Sequence, residues 1–114
     1  MNNFDRGEDI PITVVCTDED SAALDCDDFV TIVVKLQHKH LGSLLDRLSL
    51  ADSEVTANGT SGITFIVPGS VTVSSPLGVY EYQLKTTETD SDYDSNTRTR
   101  TFRGDCFYLK QART

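Results

Sequence analysis

Four sets of side chains in this chain have the residue types that bind or react. The first is Asp90, Asp92 and Asp94, with the alternate spacing that opens a calcium-binding loop. Such a loop needs glycine at its sixth position and glutamate at its twelfth. Ser95 and Thr101 stand there, which excludes an EF-hand and leaves a solvated acidic loop as the expectation. The second is His38 and His40, two apart and so on one side of a strand. Zinc takes three or four ligands, and no third accompanies them, so exposed histidines at a strand end are expected. The third is Cys16, Cys26 and Cys106. Their odd number and wide spacing fit no zinc motif, and buried, reduced thiols are expected. The fourth is Arg98, Arg100 and Arg103, the only basic cluster. Guanidinium forks recognise carboxylates. Contact with an acidic partner is one reading, and pairing with the chain's own acidic loop is the other.

None of these sets forms a nucleophile with its base. The chain has no Gly-x-Ser-x-Gly elbow and no glycine-rich phosphate loop. No spacing pairs a cysteine with a histidine for attack. The sequence therefore assigns no catalytic residue, no metal ligand and no cofactor, and the expectation is a protein that is not an enzyme.

Charge narrows the partners. The 114 residues carry a formal net charge of -8. That disfavours nucleic acid, which calls for a basic footprint, and anionic membrane surfaces. No apolar run approaches the ~20 residues that cross a bilayer. The segment from Met1 to Asp9 is polar, without the apolar stretch of a signal peptide. Asn58-Gly59-Thr60 fits a glycosylation sequon but reads better as a turn, because Asn-Gly tolerates positive φ.

The elements that position these residues read as strands. In Gly78-Val79-Tyr80-Glu81-Tyr82-Gln83-Leu84-Lys85-Thr86, the residues Tyr80, Tyr82, Leu84 and Thr86 share one face, the signature of a half-buried strand. Asp9 to Thr17 predicts a first strand with Ile10, Ile12, Val14 and Cys16 on one face. Pro11 there lacks a donor, so the strand should begin at an edge or outside the ladder. Phe29 to His38, with five β-branched residues in succession from Val30, predicts a central strand with Val30, Ile32, Val34 and Leu36 on one face. Ser43 to Leu50 reads as a short helix or as an edge strand, and the context favours the strand. Glu54 to Ala57 and Gly62 to Val67 predict a hairpin. Ser70 to Ser75 reads as a strand, a loop or one helical turn. Thr87 to Asn96 predicts a solvated loop, and Arg98 to Leu109 a closing strand with a bulge at Gly104. About seven short strands with regular turn signals predict an all-β, antiparallel sandwich of one domain, residues 9–110, with a flexible arm over residues 1–8 and a short tail over 111–114.

The order of these strands carries a resemblance. It runs through Asp9-Ile10-Pro11-Ile12-Thr13-Val14, Asp27-Asp28-Phe29-Val30-Thr31-Ile32, Gly62-Ile63-Thr64-Phe65-Ile66-Val67-Pro68, Gly78-Val79-Tyr80-Glu81-Tyr82-Gln83-Leu84 and Gly104-Asp105-Cys106-Phe107-Tyr108-Leu109. From about Asp9 to Leu109 the chain resembles the small immunoglobulin-like domain at the N-terminus of tailed-phage baseplate upper proteins. It departs from that family in its acidic stretch before Arg98 and in lacking the family's C-terminal extension. The resemblance implies an immunoglobulin-like β-sandwich made in a host cytoplasm. It would serve in the virion as an adaptor or decoration domain of the tail, baseplate or capsid, in many copies or as a homo-oligomer, and without nucleic acid or membrane. It brings no catalytic residues. Contact with other virion proteins is expected at Phe4 and Arg6 in the arm and at Arg98, Arg100 and Arg103 in the last strand. The alternative is a carbohydrate-binding sandwich aided by calcium at Asp90, Asp92 and Asp94, with Tyr93 as the sugar platform.

Overall fold

Alternation is the dominant pattern in the sequence, and the structure is correspondingly all-β. The computed structural model describes residues 2–50, 52–93 and 96–111, and at position 47 the backbone alone. The strands are β1 (Asn3–Asp5), β2 (Ile10–Val14), β3 (Phe29–His38), β4 (Leu44–Ser49), β5 (Val55–Ala57), β6 (Ile63–Val67), β7 (Gly78–Thr89) and β8 (Thr97–Lys110). One short helix, α1 (Gly69–Thr72), links β6 to the segment before β7. A five-stranded sheet has the order β1-β8-β7-β3-β4, and a three-stranded sheet the order β2-β6-β5. β7 is thus the middle strand of the larger sheet, as its long alternation requires.

Both sheets contribute to one core. Ile10, Val14, Ile63, Phe65 and Val67 come from the small sheet, and Ile32, Val34, Leu36, Tyr80, Leu84, Phe107 and Leu109 from the large one. Fully burying each such aliphatic side chain stabilises the fold by about 1.5–3 kcal/mol. The hairpin around Asn58-Gly59 is present, with Val55, Ile63, Phe65 and Val67 inward. β4 returns against β3 as an edge strand. Pro11 does lie on an edge, because β2 pairs only with β6.

Several expectations are corrected. The strands exceed seven, since eight are present among the described residues. The large sheet is mixed rather than purely antiparallel, because β1 runs parallel to β8, Asn3 opposite Tyr108 and Asp5 opposite Lys110. Residues 3–5, expected in a free arm, are therefore a strand of the sheet, and Phe4 is the reason: its ring meets Phe107 edge-on at 6.3 Å. β3 is interior but flanks β7 instead of holding the centre. At its start the register shifts between Phe29 and Thr31. Phe29 is consequently buried and Val30 is exposed, the reverse of strict alternation. β7 continues to Thr89 and shortens the acidic turn, because Thr87, Glu88 and Thr89 pair with Thr99, Arg98 and Thr97. The bulge in β8 falls at Cys106 and not at Gly104, which pairs with Tyr82. Beyond it, burial passes from the even positions to Phe107 and Leu109. A single inserted residue changes which face is inward.

Candidate functional site

The outer surface of the large sheet is the candidate site. Three rows of side chains cross it where β3, β7 and β8 lie in register. Lys35, Gln83 and Arg103 form one row, Val33, Lys85 and Thr101 the next, and Thr31, Thr87 and Thr99 the third. Within these rows, between the register shifts at Val30 and Cys106, odd positions on all three strands face away from the core, because Ile32, Val34, Leu84 and Thr86 hold the inner face. The twisted surface has an open hollow of about 530 Å³ over Val33, Lys35, Gln83, Lys85 and Thr99. A second hollow of about 260 Å³ lies toward Gln37 and Arg103.

The charge of this face opposes that of the rest of the chain. Most described cations elsewhere are engaged: Lys39 with Asp105 at 3.0 Å, Arg98 with Glu19 at 3.4 Å, Arg100 with Glu88 at 2.5 Å, and Lys110 with Asp5 at 3.6 Å. Arg6 is bound to a carbonyl. Lys35, Lys85 and Arg103 form no ion pair with any described residue, and they share one surface. Two acids stand on the same face beside these rows: Glu81, which accepts a hydrogen bond from Gln37 at 2.8 Å, and Asp105, which Lys39 already pairs. A flat field of positive charge with hydroxyls and amides around it suits carboxylates or other anions presented by a partner.

The residues expected to make partner contacts divide three ways. Arg103 lies in the outer field. Arg98 and Arg100 stand at even positions of β8, on its opposite, inner side. There Arg100 meets Glu88 in a half-buried pair, and Arg98 sits over the Tyr93 ring at 5.6 Å. Arg6 donates from Nε to the Ser75 carbonyl at 2.9 Å, and Phe4 packs on the core. These two tie β1 to the body of the domain. Lys35 and Lys85 escaped the sequence reading because each stands on a different strand. Their parity within each strand was readable, but their adjacency depends on cross-strand register, which one sequence does not state.

The other sets also find their places. His38 is buried, not exposed as expected, while His40 is exposed. The His38 Nδ1 accepts the backbone N–H groups of His40 and Leu41 at 3.2 and 3.1 Å, so the ring proton is on Nε2, which donates to the Leu77 carbonyl at 2.8 Å. Gly78 (φ +128°) makes room for this ring, since a Cβ there would lie 2.7 Å from Nε2. His38 is a structural joint between the β3–β4 turn and the start of β7. All three cysteines are free thiols. Cys16 interacts with Cys26, and its pKa is pushed up to about 12 by burial and then by that neighbour. Burial pushes Cys106 up to about 12 as well. The Tyr82 hydroxyl is raised by burial, then by Cys106 and Cys16. Such thiols stay protonated and make poor nucleophiles or ligands. Asp94 lies outside the described residues. Asp90 uses Oδ1 to accept the Asp92 N–H at 3.0 Å, forming a turn. Among the described residues no three His, Cys, Asp or Glu side chains converge as a metal site.

Compared with protein-family models, with curated proteins and with solved structures, the chain matches none.

Proposed function

We propose that this chain is a non-enzymatic structural protein of immunoglobulin-like architecture, an adaptor or decoration domain of a virion that contacts its neighbours through the outer face of the five-stranded sheet. The observation that carries the contact surface is the gathering of Lys35, Lys85 and Arg103, without ion-pair partners among the described residues, on one face of a chain of net charge -8.

The architecture is supported by strand order. β8, β7, β3 and β4 correspond to strands G, F, C and C′ of an immunoglobulin sandwich, β1 to an A′ strand beside G, and β2, β6 and β5 to B, E and D. A second support is Tyr80. It stands at the start of β7 after the turn from the small sheet, and its hydroxyl donates to the Pro76 carbonyl at 2.7 Å. A tyrosine corner of such sandwiches makes a bond of this kind, which supports the reading. The usual disulfide has no counterpart, and Tyr82 occupies the position two residues beyond the corner tyrosine where its second cysteine would stand. The virion setting rests on the resemblance of the strand sequence, and assembly in a reducing cytoplasm agrees with three unbonded thiols.

The test is lysine acetylation read by mass spectrometry on purified phage particles and on the free protein. Lys35 and Lys85 should be protected in the particle while Lys110, at the end of β8 and paired with Asp5, labels as in the free chain. Equal labelling of Lys35 and Lys85 in both states, or absence of the chain from particles, overturns the reading.

A further inference from the structure

The outer field of Lys35, Lys85 and Arg103 has a complement on the same molecule, with which it forms no ion pair among the described residues. The β2–β3 connection carries Glu19, Asp20, Asp25, Asp27 and Asp28, all exposed, and the β7–β8 turn carries exposed Asp92. The Arg98–Glu19 pair brings these two segments to the same end. The Gly59 N–H donating to Asp27 at 3.3 Å places the β5–β6 turn there too. One pole of the molecule is therefore densely acidic. β8 alone spans about 46 Å at the usual rise per residue, and the molecule measures 54 × 27 × 24 Å, so the strands run along the long axis. The acidic pole is at an end of that axis, and the cationic rows cross one side.

We infer that the acidic pole of one copy docks on the cationic sheet face of a second copy. This rests on the reading of that face as a contact surface and names its occupant. The rows suit the task. Lys35 and Arg103 flank Gln83 across two strand spacings, roughly 10 Å, and Lys85 stands one row further along. This triangle of cations meets carboxylates carried on two adjacent loops. Because the two surfaces are different patches, the contact is heterologous: one copy of a pair keeps its face free and the other its pole, and the assembly grows into a ring or an open filament instead of stopping at two. An end of 27 × 24 Å offers on the order of 600 Å², below the ~800 Å² per partner of a standard interface. The contact is accordingly weak in isolation and strongly salt-dependent.

Sedimentation of the full chain at high protein concentration tests this, in roughly 20 mM and roughly 500 mM salt, where the screening length drops from about 20 Å to a few ångströms. Two variants are used: a face variant with K35Q, K85Q and R103Q, and a pole variant with E19Q, D20N and D92N, each checked for native circular dichroism. Expected are species larger than dimers for the unmodified chain at low salt, monomers at high salt, and monomers for each variant alone. An equimolar mixture of the two variants should give dimers and nothing larger, since it retains one good pole and one good face. A monomeric unmodified chain at low salt, or association that survives the face variant, overturns the inference. A mixture that stays monomeric or grows past dimers does so too. Should the variants misfold, acetylation of Lys35 and Lys85 in the unmodified chain decides. Slower labelling at low than at high salt relative to Lys110 supports the contact, and no difference refutes it. If the chain is monomeric while both lysines are protected in particles, this inference fails and the contact face stands, with a different acidic protein upon it.

Discussion

Removing one oxygen atom tests whether the corner at the start of β7 holds the two sheets as described. Tyr80→Phe keeps the ring, which is stacked on Phe107 at 5.2 Å and 13° and meets His38 edge-on at 5.2 Å. What is lost is the hydroxyl donating to the Pro76 carbonyl. A neutral hydrogen bond of this kind is worth about 1 kcal/mol net, and an acceptor left dry costs a further 1–3 kcal/mol or so. Pro76 itself is exposed, so water reaches its carbonyl in part, and the expected loss is about 1–2 kcal/mol. With an unfolding entropy near 2.1 cal/mol/K per residue, a chain of this length has about 240 cal/mol/K at its midpoint. The melting temperature should then fall by roughly 4–8 °C. Thermal melts by circular dichroism measure it, with urea unfolding at constant slope as the check that the native state is unchanged. Tyr108→Phe, at an exposed ring, is the control and should shift the melt by less than about 2 °C. A Tyr80→Phe shift no larger than the control refutes the hydroxyl's role. A change in the urea slope refutes the assumption that only one bond was removed.

Phe4→Ala should destabilise by about 2 kcal/mol, less than a fully buried phenylalanine because Phe4 is half-buried. Hydrogen exchange at Tyr108 should accelerate in this variant, as its N–H donates to the Asn2 carbonyl at 3.0 Å; unchanged exchange would show that β1 does not depend on that ring. Thr86→Val should raise stability by about 1 kcal/mol, because the Thr86 Oγ1 is buried without a hydrogen-bond partner among the described residues and the methyl has the same shape; a lower urea midpoint would refute it. The Cys16 thiol should make stability fall at high pH. Below pH 9.0 both states keep the proton; above it the unfolded chain loses the proton while the folded one holds it to about 12. Stability thus drops by about 1.4 kcal/mol per pH unit across that window. Urea midpoints at successive pH values should show a shallower decline in Cys16→Ala, and parallel curves would contradict the assignment.

Much of the fold can be read in alternation. Tyr80, Leu84 and Thr86 face inward as their spacing requires, and the hairpin around Asn58-Gly59 closes where a positive φ is tolerated. Alternation cannot announce where it stops being kept. The insertions at Val30 and Cys106 add one residue each, and neither position carries the glycine that would have flagged a bulge. β1 was missed because three residues at a chain terminus show no period, and only Phe4 betrays the contact with the core. His38 looked like an exposed strand end because its burial depends on Tyr80 and Gly78, some forty residues away. The candidate site shares this difficulty. Arg103 drew notice beside Arg98 and Arg100, yet the odd-even rule sends it to the opposite face from both. Its true neighbours, Lys35 and Lys85, become visible only with register.

The two arginines on the inner side of β8 have a consequence for how the molecule survives at high concentration. β1 pairs only with the last residues of β8, from Tyr108 to Lys110, so the stretch 97–107 offers its outer row of backbone groups to no described strand. Long, bare sheet margins template fibrils unless something spoils them. Charges turned inward on such a margin are an effective deterrent, since a second sheet stacked against it would have to bury them dry. Arg98 and Arg100 hold that position, and Glu88 and Glu19 keep them there. The cluster that looked in sequence like a grip on a partner thus also acts as a guard against the wrong one.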